Sequence, residues 1–220
     1  GAADAPIMRA DYEELVATSA RLHLQIECLL QQIQGQLKNC DALTGAYDRV
    51  EMLPALRQWQ AFARRHVQPC CIAFMDLDHL KEINDTCGHQ AGDEVLAGVV
   101  RYLLEHLRPN DKVFRYGGDE FVIALPGADL AAGQTVIRHI RDGLARMRLV
   151  AGPGGIDLRV TASFGLALLD PDVSVEDCID RADQALLLAK AAGRNHAINW
   201  DASVTTGTRL RRLQLDDANG

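Results

Sequence analysis

The sequence predicts an α/β fold in which helices flank a central sheet of mixed strand direction. Three observations support this class. Short runs of apolar residues, typical of buried strands, alternate with longer segments that carry apolar residues at helical spacing. Two of the short runs flank Gly117 and Gly118, a pair that is typical of a tight antiparallel hairpin. The composition, 48% hydrophobic and 24% charged, is that of an ordinary globular protein.

The length of 220 residues favours one domain with appended segments over two full domains. We expect an N-terminal helical segment (1–40), a central domain (41–200) and a flexible tail (201–220). Apolar residues within 10–40 follow a 4-3 spacing, which gives a helix a narrow apolar seam. Such a seam indicates a short coiled coil or, with equal weight, a helix that packs on its own domain.

The first half of the central domain begins with a turn at residues 41–46, whose Asp and Thr side chains can cap it. Met52–His66 carries apolar residues at helical spacing and predicts a helix. Cys70–Asp76 is a continuous apolar run and predicts a strand that is buried on both faces. A polar stretch without a predicted element follows, and then the amphipathic pattern of Gly92–Leu107 predicts a second helix.

The second half of the domain continues the alternation of strands and helices. Short β-branched and aromatic runs predict strands at Val113–Tyr116 and Phe121–Leu125, on either side of the glycine pair. Apolar periodicity, alternation and a Gly/Pro-rich loop define the remaining elements: a helix at Asp129–Met147, a loop at 151–155, a strand region at Ile156–Leu168, a helix at Val175–Ala191 and a last strand at His196–Asn199.

Charge and cysteine content exclude several classes of function. A formal net charge of −7 argues against a general binder of nucleic acids or membrane surfaces, since both are polyanionic. The six cysteines form no CxxC pair, so we expect reduced structural thiols and a cytoplasmic protein. No apolar run approaches the roughly 18 residues of a membrane span, and we recognise no signal peptide.

Two acidic clusters lie where predicted strands end or begin. Asp76 and Asp78 close a buried strand, and Asp119 and Glu120 follow the glycine pair of the hairpin. Carboxylates from two chain segments suit Mg²⁺, which completes its shell with water and substrate phosphates. Each cluster taken alone is more often simply solvated.

Basic residues supply the counterpart that a phosphate ligand needs. Lys81 follows the first cluster, and Lys190 and Arg194 lie four residues apart near a helix end. Such cations can hold a triphosphate together with a metal ion, although cations near a helix C-terminus are also favoured by the helix dipole. Neither a Walker A motif nor GxGxxG is present, which excludes a P-loop or Rossmann nucleotide site.

Six blocks of sequence occur in a fixed order along the chain: Asp41-Ala-Leu-Thr-Gly, Asp76-Leu-Asp-His-Leu-Lys-Glu-Ile-Asn-Asp-Thr-Cys-Gly-His, Ala91-Gly-Asp-Glu-Val-Leu, Arg115-Tyr-Gly-Gly-Asp-Glu-Phe, Ala182-Asp and Ala189-Lys-Ala-Ala-Gly-Arg-Asn. Together they resemble the signature of the GGDEF domain, the diguanylate cyclase family. The resemblance covers roughly residues 41–200 and implies a nucleotide-cyclase-like fold with an added N-terminal helix.

The resemblance implies a reaction in which two GTP molecules give cyclic di-GMP and two pyrophosphates. It also implies Mg²⁺ as cofactor, with Mn²⁺ as the alternative, and a homodimer, because each domain holds one GTP. The helix before residue 41 would then hold or switch the dimer as part of a larger sensor protein. The alternative is a catalytically silent GGDEF module that binds GTP or cyclic di-GMP as an effector.

The resemblance further implies roles for individual residues. The metal ligands would be Asp76, the Leu77 carbonyl, Asp119 and Glu120. Asp119 would take the proton from the ribose 3′-hydroxyl, with Glu120 as the rival for this role. The substrate contacts would be His79, Lys81, Asn84, Asp93, Gly117, Gly118, Lys190 and Arg194, among which Asn84 and Asp93 read guanine. Arg108 and Asp111 would form the RxxD site through which the product inhibits the enzyme.

Overall fold

A mixed sheet of six strands organises the described part of this computed structural model, which comprises residues 39–66, 68–152 and 155–201. Its strands are β1 (Tyr47–Asp48), β2 (Cys70–Leu77), β3 (Lys112–Arg115), β4 (Glu120–Pro126), β7 (Ala162–Leu168) and β8 (Ala197–Asn199). They lie in the order β1-β3-β4-β2-β7-β8, with parallel outer pairs and antiparallel inner pairs. A separate hairpin joins β5 (Leu149–Ala151) and β6 (Ile156–Leu158). The predicted mixed sheet is confirmed.

Helices cover both faces of this sheet. They are α1 (Arg49–His66), α2 (Leu80–Cys87), α3 (His89–His106), α4 (Leu130–Arg146) and α5 (Val175–Ala191). One apolar core lies between the sheet and helices α3 and α4, and a second lies between the sheet and helices α1 and α5. Among these helices, none is both long and apolar enough to cross a membrane.

Strand β2 runs through the middle of the sheet, and all eight of its residues are buried. Alternate residues enter different cores: Cys71 packs with the α3 and α4 side, and Cys70 packs with the α1 and α5 side. Burial raises the pKa of both thiols to about 12, so they stay protonated at neutral pH. The strand that is buried on both faces is therefore as predicted, and its two cysteines are free thiols that pack in the two cores.

Helix α2 is the main element that the sequence prediction misses. It occupies the polar stretch after Asp78, and Leu80 is its one buried residue. Leu80, Ile83 and Cys87 do follow helical spacing, but eight residues are too few for this pattern to stand out in the sequence. Gly88, at a φ of 87°, separates α2 from α3 and lets α3 begin at His89, three residues before the predicted start.

The predicted strand region Ile156–Leu168 is divided in two. Its first three residues form β6 in the small hairpin with β5, and its last seven form β7 in the main sheet. The predicted helix within residues 10–40 lies outside the described residues except for its last two. The predicted tail lies outside them except for Asp201.

Gly165 in β7 allows α5 to lie directly on the sheet, which leads to a stability prediction. A Cβ atom at this position would lie 2.1 Å from both the Ala182 carbonyl oxygen and the Leu186 backbone nitrogen. Backbone atoms cannot rotate away, so we expect Gly165→Ala to lower the free energy of unfolding by about 3 kcal/mol or more.

The matched control is Gly98→Ala in α3. There the atoms nearest to the added Cβ all belong to the Leu149 side chain, whose Cδ2 would lie at 2.5 Å, and this flexible side-chain end can move. Urea denaturation of the wild type and the two variants measures the effect. A loss at Gly165 no larger than the loss at Gly98 would show that α5 is not held against β7 in this way.

Candidate active site

The two acidic clusters meet at one end of the sheet. Asp76, near the end of β2, lies directly opposite Glu120, the first residue of β4. The Leu77 N–H donates to the Asp119 carbonyl oxygen at 3.3 Å, so the hairpin backbone is tied to β2 beside the carboxylates. Asp76 is only 8% exposed, whereas Asp119 and Glu120 are partly exposed. The sheet register thus brings together the acidic residues that the sequence singled out.

Burial and crowding make this acidic group electrostatically unfavourable in the protein alone. The pKa of Asp76 is raised, mainly because burial disfavours its charged form and further because Asp119 and Asp78 lie nearby. Burial is also the largest cause that raises the pKa of Glu120, followed by the charge of Asp76. The Lys190 Nζ lies 2.7 Å from Asp76 Oδ2 and offsets part of this charge.

Arg115 fixes the hairpin that carries Asp119 and Glu120. Its guanidinium donates to both carboxylate oxygens of Asp41, each at 2.9 Å, and to the Gly118 carbonyl oxygen at 2.9 and 3.2 Å. Burial alone would raise the pKa of Asp41, but hydrogen bonds from Thr44 and the charge of Arg115 outweigh it and lower that pKa. The ionised Asp41 turn therefore anchors the hairpin through one side chain.

Aromatic packing holds the same hairpin from the other side. The Tyr116 ring lies edge-on to Phe74, with ring centroids 4.9 Å apart, and the Arg49 guanidinium sits 4.1 Å from the Tyr116 centroid. Gly117 has little room for a side chain, since a Cβ would lie 3.2 Å from Glu120 Oε2. At Gly118, by contrast, a Cβ would meet nothing within 4 Å.

Asn84 and Gly92 lie against each other where α2 and α3 pack. A Cβ on Gly92 would lie 1.9 Å from Asn84 Oδ1, so only glycine allows this approach. The Asn84 Oδ1 is buried and has no hydrogen-bond partner in the structure. Asp93, the next residue after Gly92, is exposed. The predicted guanine-reading pair thus presents a buried acceptor that lacks a donor, beside a solvent-facing carboxylate.

The predicted phosphate contacts approach from two directions. Lys81 is exposed in the first turn of α2, two residues after His79, whose φ is 61° and whose ring contacts Glu82. Lys190 comes from the last turn of α5 and reaches Asp76. Arg194 is exposed in the turn that follows α5. The structure places Lys190 at the acidic residues but shows no such contact for Lys81 or Arg194.

The predicted inhibitory residues lie at the far end of β3 from the hairpin. The Asp111 carboxylate accepts the backbone N–H of Arg108 at 2.9 Å, and the Asp111 N–H donates to the Arg108 carbonyl oxygen. This closes a tight turn with the Arg108 side chain on the surface. Burial raises the pKa of Asp111, and the neighbouring Arg108 opposes the shift.

The chemistry of the acidic group fits a divalent cation. Two carboxylates from neighbouring strands have pKa values that are raised by burial and mutual repulsion, and Lys190 compensates their charge only in part. Hard oxygen donors of this kind are what Mg²⁺ and Mn²⁺ bind. Within the described ranges, however, no three side chains of His, Cys, Asp or Glu are grouped closely enough to hold a metal.

Sequence reasoning gave no role to two contacts at this site. The Asp41–Arg115 ion pair joins residues 74 positions apart, although both belong to the blocks quoted above. Asp78, predicted only as part of an acidic pair, is 3% exposed and accepts hydrogen bonds from Thr161, Ser163 and the Asn195 backbone. No sequence spacing signals either contact, because the partners come from distant segments.

Comparison with known proteins places this geometry in a family. The sequence profile described as "Diguanylate cyclase, GGDEF domain" matches residues 38–196. Diguanylate cyclase DosC of Escherichia coli K12 is 35% identical over 176 residues, which are 80% of this chain and 38% of that protein. Diguanylate cyclase DgcP of Pseudomonas aeruginosa PAO1 is 37% identical over 162 residues, or 74% of this chain and 24% of that protein. The chain therefore spans well under half the length of these curated relatives.

Solved structures give the same result. Diguanylate cyclase SiaD of Pseudomonas aeruginosa, in complex with its activator SiaC, is 30% identical with a TM-score of 0.74, covering 89% of this chain and 76% of that chain. The coiled coil and GGDEF domain of DgcB from Caulobacter crescentus, in complex with c-di-GMP, is 29% identical with a TM-score of 0.73, covering 85% and 98% of the two chains. The profile match over most of the sequence, carried on this shared fold, shows that the chain belongs to the GGDEF domain family.

Proposed function

We propose that this chain is a diguanylate cyclase, which condenses two GTP molecules into cyclic di-GMP and releases two pyrophosphates. The observation that carries the proposal is the placement of Asp76 opposite Glu120, with Lys190 in contact, at the end of a fixed hairpin. An acidic group whose charge is only partly neutralised by one lysine is suited to hold a divalent cation and, through it, a triphosphate. The names of the curated relatives support the same activity.

The hairpin carboxylates supply the base for the reaction. Asp119 takes the proton from the ribose 3′-hydroxyl, and Glu120 is its rival because its raised pKa makes it a stronger base. A bound Mg²⁺ or Mn²⁺, held by Asp76, the Leu77 carbonyl and the two hairpin acids, would make this hydroxyl more acidic and offset phosphate charge. The fixed backbone around Gly117 and Gly118 keeps the acids in place before substrate arrives.

Asn84 and Asp93 select the base of the nucleotide. The Asn84 amide lies where α2 packs on α3, beside the residue that precedes Asp93, and turning its unpartnered Oδ1 toward the ligand would let it accept a guanine N–H. The exposed Asp93 carboxylate accepts from the guanine N1–H and its 2-amino group. Adenine lacks this donor pair, so it would leave both acceptors unsatisfied and be rejected.

Lys81, Lys190 and Arg194 bind the triphosphate, and His79 lies beside the ribose and the phosphates. The Lys190 ammonium group already forms an ion pair with the Asp76 carboxylate, so it can neutralise a phosphate oxygen and the metal-binding acid together. Each domain holds one GTP, and the 3′-hydroxyl of one must attack the α-phosphate of the other. Catalysis therefore requires a homodimer in which two such sites face each other.

In the cell, this activity would form the cytoplasmic output of a larger signalling protein. DosC and DgcP, of which the chain matches 38% and 24%, are longer proteins and support such an arrangement. A preparation that binds GTP with its metal but makes no product, even when two copies are fused, would instead support the silent effector-binding module.

Removal of a hairpin carboxylate tests the catalytic assignment. We expect Asp119→Ala to lower cyclic di-GMP formation at least about 100-fold, because the base and one metal ligand are lost together. Product is measured by chromatography after incubation with GTP and Mg²⁺. Asp172→Ala, which removes an exposed carboxylate at the opposite end of the sheet, serves as control and should retain activity. Full activity of Asp119→Ala would contradict the assignment.

The electrostatic cost of the site predicts a gain in stability when Glu120 is neutralised. Because the folded protein raises the pKa of Glu120, ionised Glu120 costs stability at neutral pH. We expect Glu120→Gln to raise the melting temperature of the metal-free protein by about 1–2 °C. As the pH falls through the raised pKa the difference should shrink, and it should be gone below the ordinary pKa of a glutamate, where Glu120 is neutral in both the folded and the unfolded state.

Calorimetry across this pH range measures the effect, with Glu105→Gln as the control for loss of an exposed charge. Added Mg²⁺ should stabilise the wild type more than Glu120→Gln, since the variant retains fewer charged ligands. A lower melting temperature for Glu120→Gln than for the wild type at neutral pH would show that ionised Glu120 does not destabilise the folded protein.

In this proposal cyclic di-GMP binds at the turn that Arg108 and Asp111 close and inhibits the enzyme that makes it. We expect Arg108→Ala to raise the concentration of cyclic di-GMP needed for half-inhibition about tenfold or more, because a charged contact to product phosphate is lost. Rates measured over a series of added cyclic di-GMP concentrations test this. Arg101→Ala, which removes an exposed arginine from α3, is the matched control. Identical inhibition of wild type and Arg108→Ala would remove the inhibitory role.

A further inference from the structure

Asp78 is a buried carboxylate to which the proposed chemistry assigns no role. Its two oxygens accept three hydrogen bonds, all from neutral donors. Oδ1 accepts from the Ser163 hydroxyl at 2.7 Å, and Oδ2 accepts from the Thr161 hydroxyl at 2.7 Å and the Asn195 backbone N–H at 3.0 Å. The first two donors belong to the start of β7 and the segment before it, whereas the third belongs to the turn after α5.

That turn has an unfavourable backbone. Gly193, Arg194 and Asn195 have φ values of 114°, 62° and 48°, so two consecutive residues with side chains occupy the left-handed region. Such residues persist only where surrounding contacts enforce them. The Arg194 N–H reaches back to the Ala189 carbonyl oxygen, which ties the start of the turn to α5. The Asn195 N–H has Asp78 as its acceptor, which ties the end of the turn to the sheet.

We propose that Asp78 is a positioning residue: it holds the turn Gly193–Asn195 and thereby sets where the Arg194 guanidinium meets the triphosphate of the substrate. This proposal rests on the function proposed above, in which Arg194 contacts phosphate. Asp78 acts on the substrate only through the backbone of the turn. It lies two residues after Asp76, so one strand end carries both a metal-binding acid and the anchor of a phosphate-binding residue.

The distribution of donors explains why a carboxylate occupies this position and why it is not a metal ligand. Both oxygens are engaged by protein donors at 2.7–3.0 Å, and the side chain is 3% exposed. Serine and threonine hydroxyls can either donate or accept, whereas the Asn195 N–H can only donate. An acceptor that faces Asn195 is therefore the one feature of residue 78 that the turn requires.

This distinction defines a pair of variants. In Asp78→Asn, the amide oxygen can still accept from Asn195 while the amide NH₂ donates to the Ser163 hydroxyl. In Asp78→Ala, the turn loses its anchor. We expect Asp78→Ala to weaken GTP binding about tenfold and Asp78→Asn to stay within about threefold of the wild type. Guanosine, which lacks phosphates, should bind all three proteins alike. Titration calorimetry measures both ligands.

A double variant tests whether Asp78 acts through Arg194. Arg194→Ala alone should weaken GTP binding, and adding Asp78→Ala should cause little further loss, because the side chain that Asp78 positions is already absent. If the two substitutions weaken GTP binding additively in the double variant, the proposal is overturned. It is also overturned if Asp78→Asn and Asp78→Ala weaken GTP binding equally, since that is the pattern expected of a metal ligand. Equal weakening of GTP and guanosine by Asp78→Ala would indicate a general structural role and would also overturn it.

Hydrogen exchange supplies a readout that depends on neither GTP binding nor the folding of Asp78→Ala. The backbone N–H of Asn195 should be protected from hydrogen exchange in the wild type and should remain protected in Asp78→Asn. An Asn195 amide that exchanges as fast as an exposed loop amide in the wild type would overturn the anchoring. If the wild type binds no GTP while this amide is protected, the proposed function fails and the anchoring of the turn stands.

Discussion

The register of β2 between β4 and β7 is the constraint on which the rest of this structure depends. It places Asp76 opposite Glu120 on one side and opposite Ser163 on the other. Because successive residues of a strand face opposite sides, a slip of one position would exchange the two apolar cores and separate the acidic residues. Complete burial of β2 on both faces prevents such a slip, since every residue is matched to its own core.

The same register concentrates negative charge at a position where burial of charged groups lowers the stability of the fold. Asp76 and Glu120 both have raised pKa values, and Lys190 is the contacting cation that the structure records at Asp76. A protein selected for stability alone would place neutral residues at this position. The fold tolerates the cost because Arg115, Asp41 and the packing around Tyr116 hold the hairpin firmly. Rigidity in the surrounding structure thus offsets instability within the site.

Sequence reasoning predicted the mixed sheet, the buried strand and the hairpin, because each produces a local pattern of apolar residues or glycines. It missed α2, whose residues are mostly polar, and it merged β6 with β7, because alternation continues through Val160 at the break. The meeting of Asp76 with Glu120 follows from strand ends and was foreseeable. The contacts of Asp78 and Arg115 were not, since they join segments more than 70 residues apart that no periodicity connects.

The ion pair between Asp41 and Arg115 has a consequence for where the N-terminal boundary of the folded unit lies. Asp41 is the first residue of the turn that precedes β1, yet its carboxylate completes the contacts of a guanidinium beside the hairpin. A recombinant protein with a different segment on the N-terminal side keeps this ion pair only if the junction lies before Asp41. A junction a few residues after Asp41 would keep the whole sheet but remove the carboxylate that pairs with Arg115. The folded unit thus begins at an electrostatic contact, six residues before its first strand.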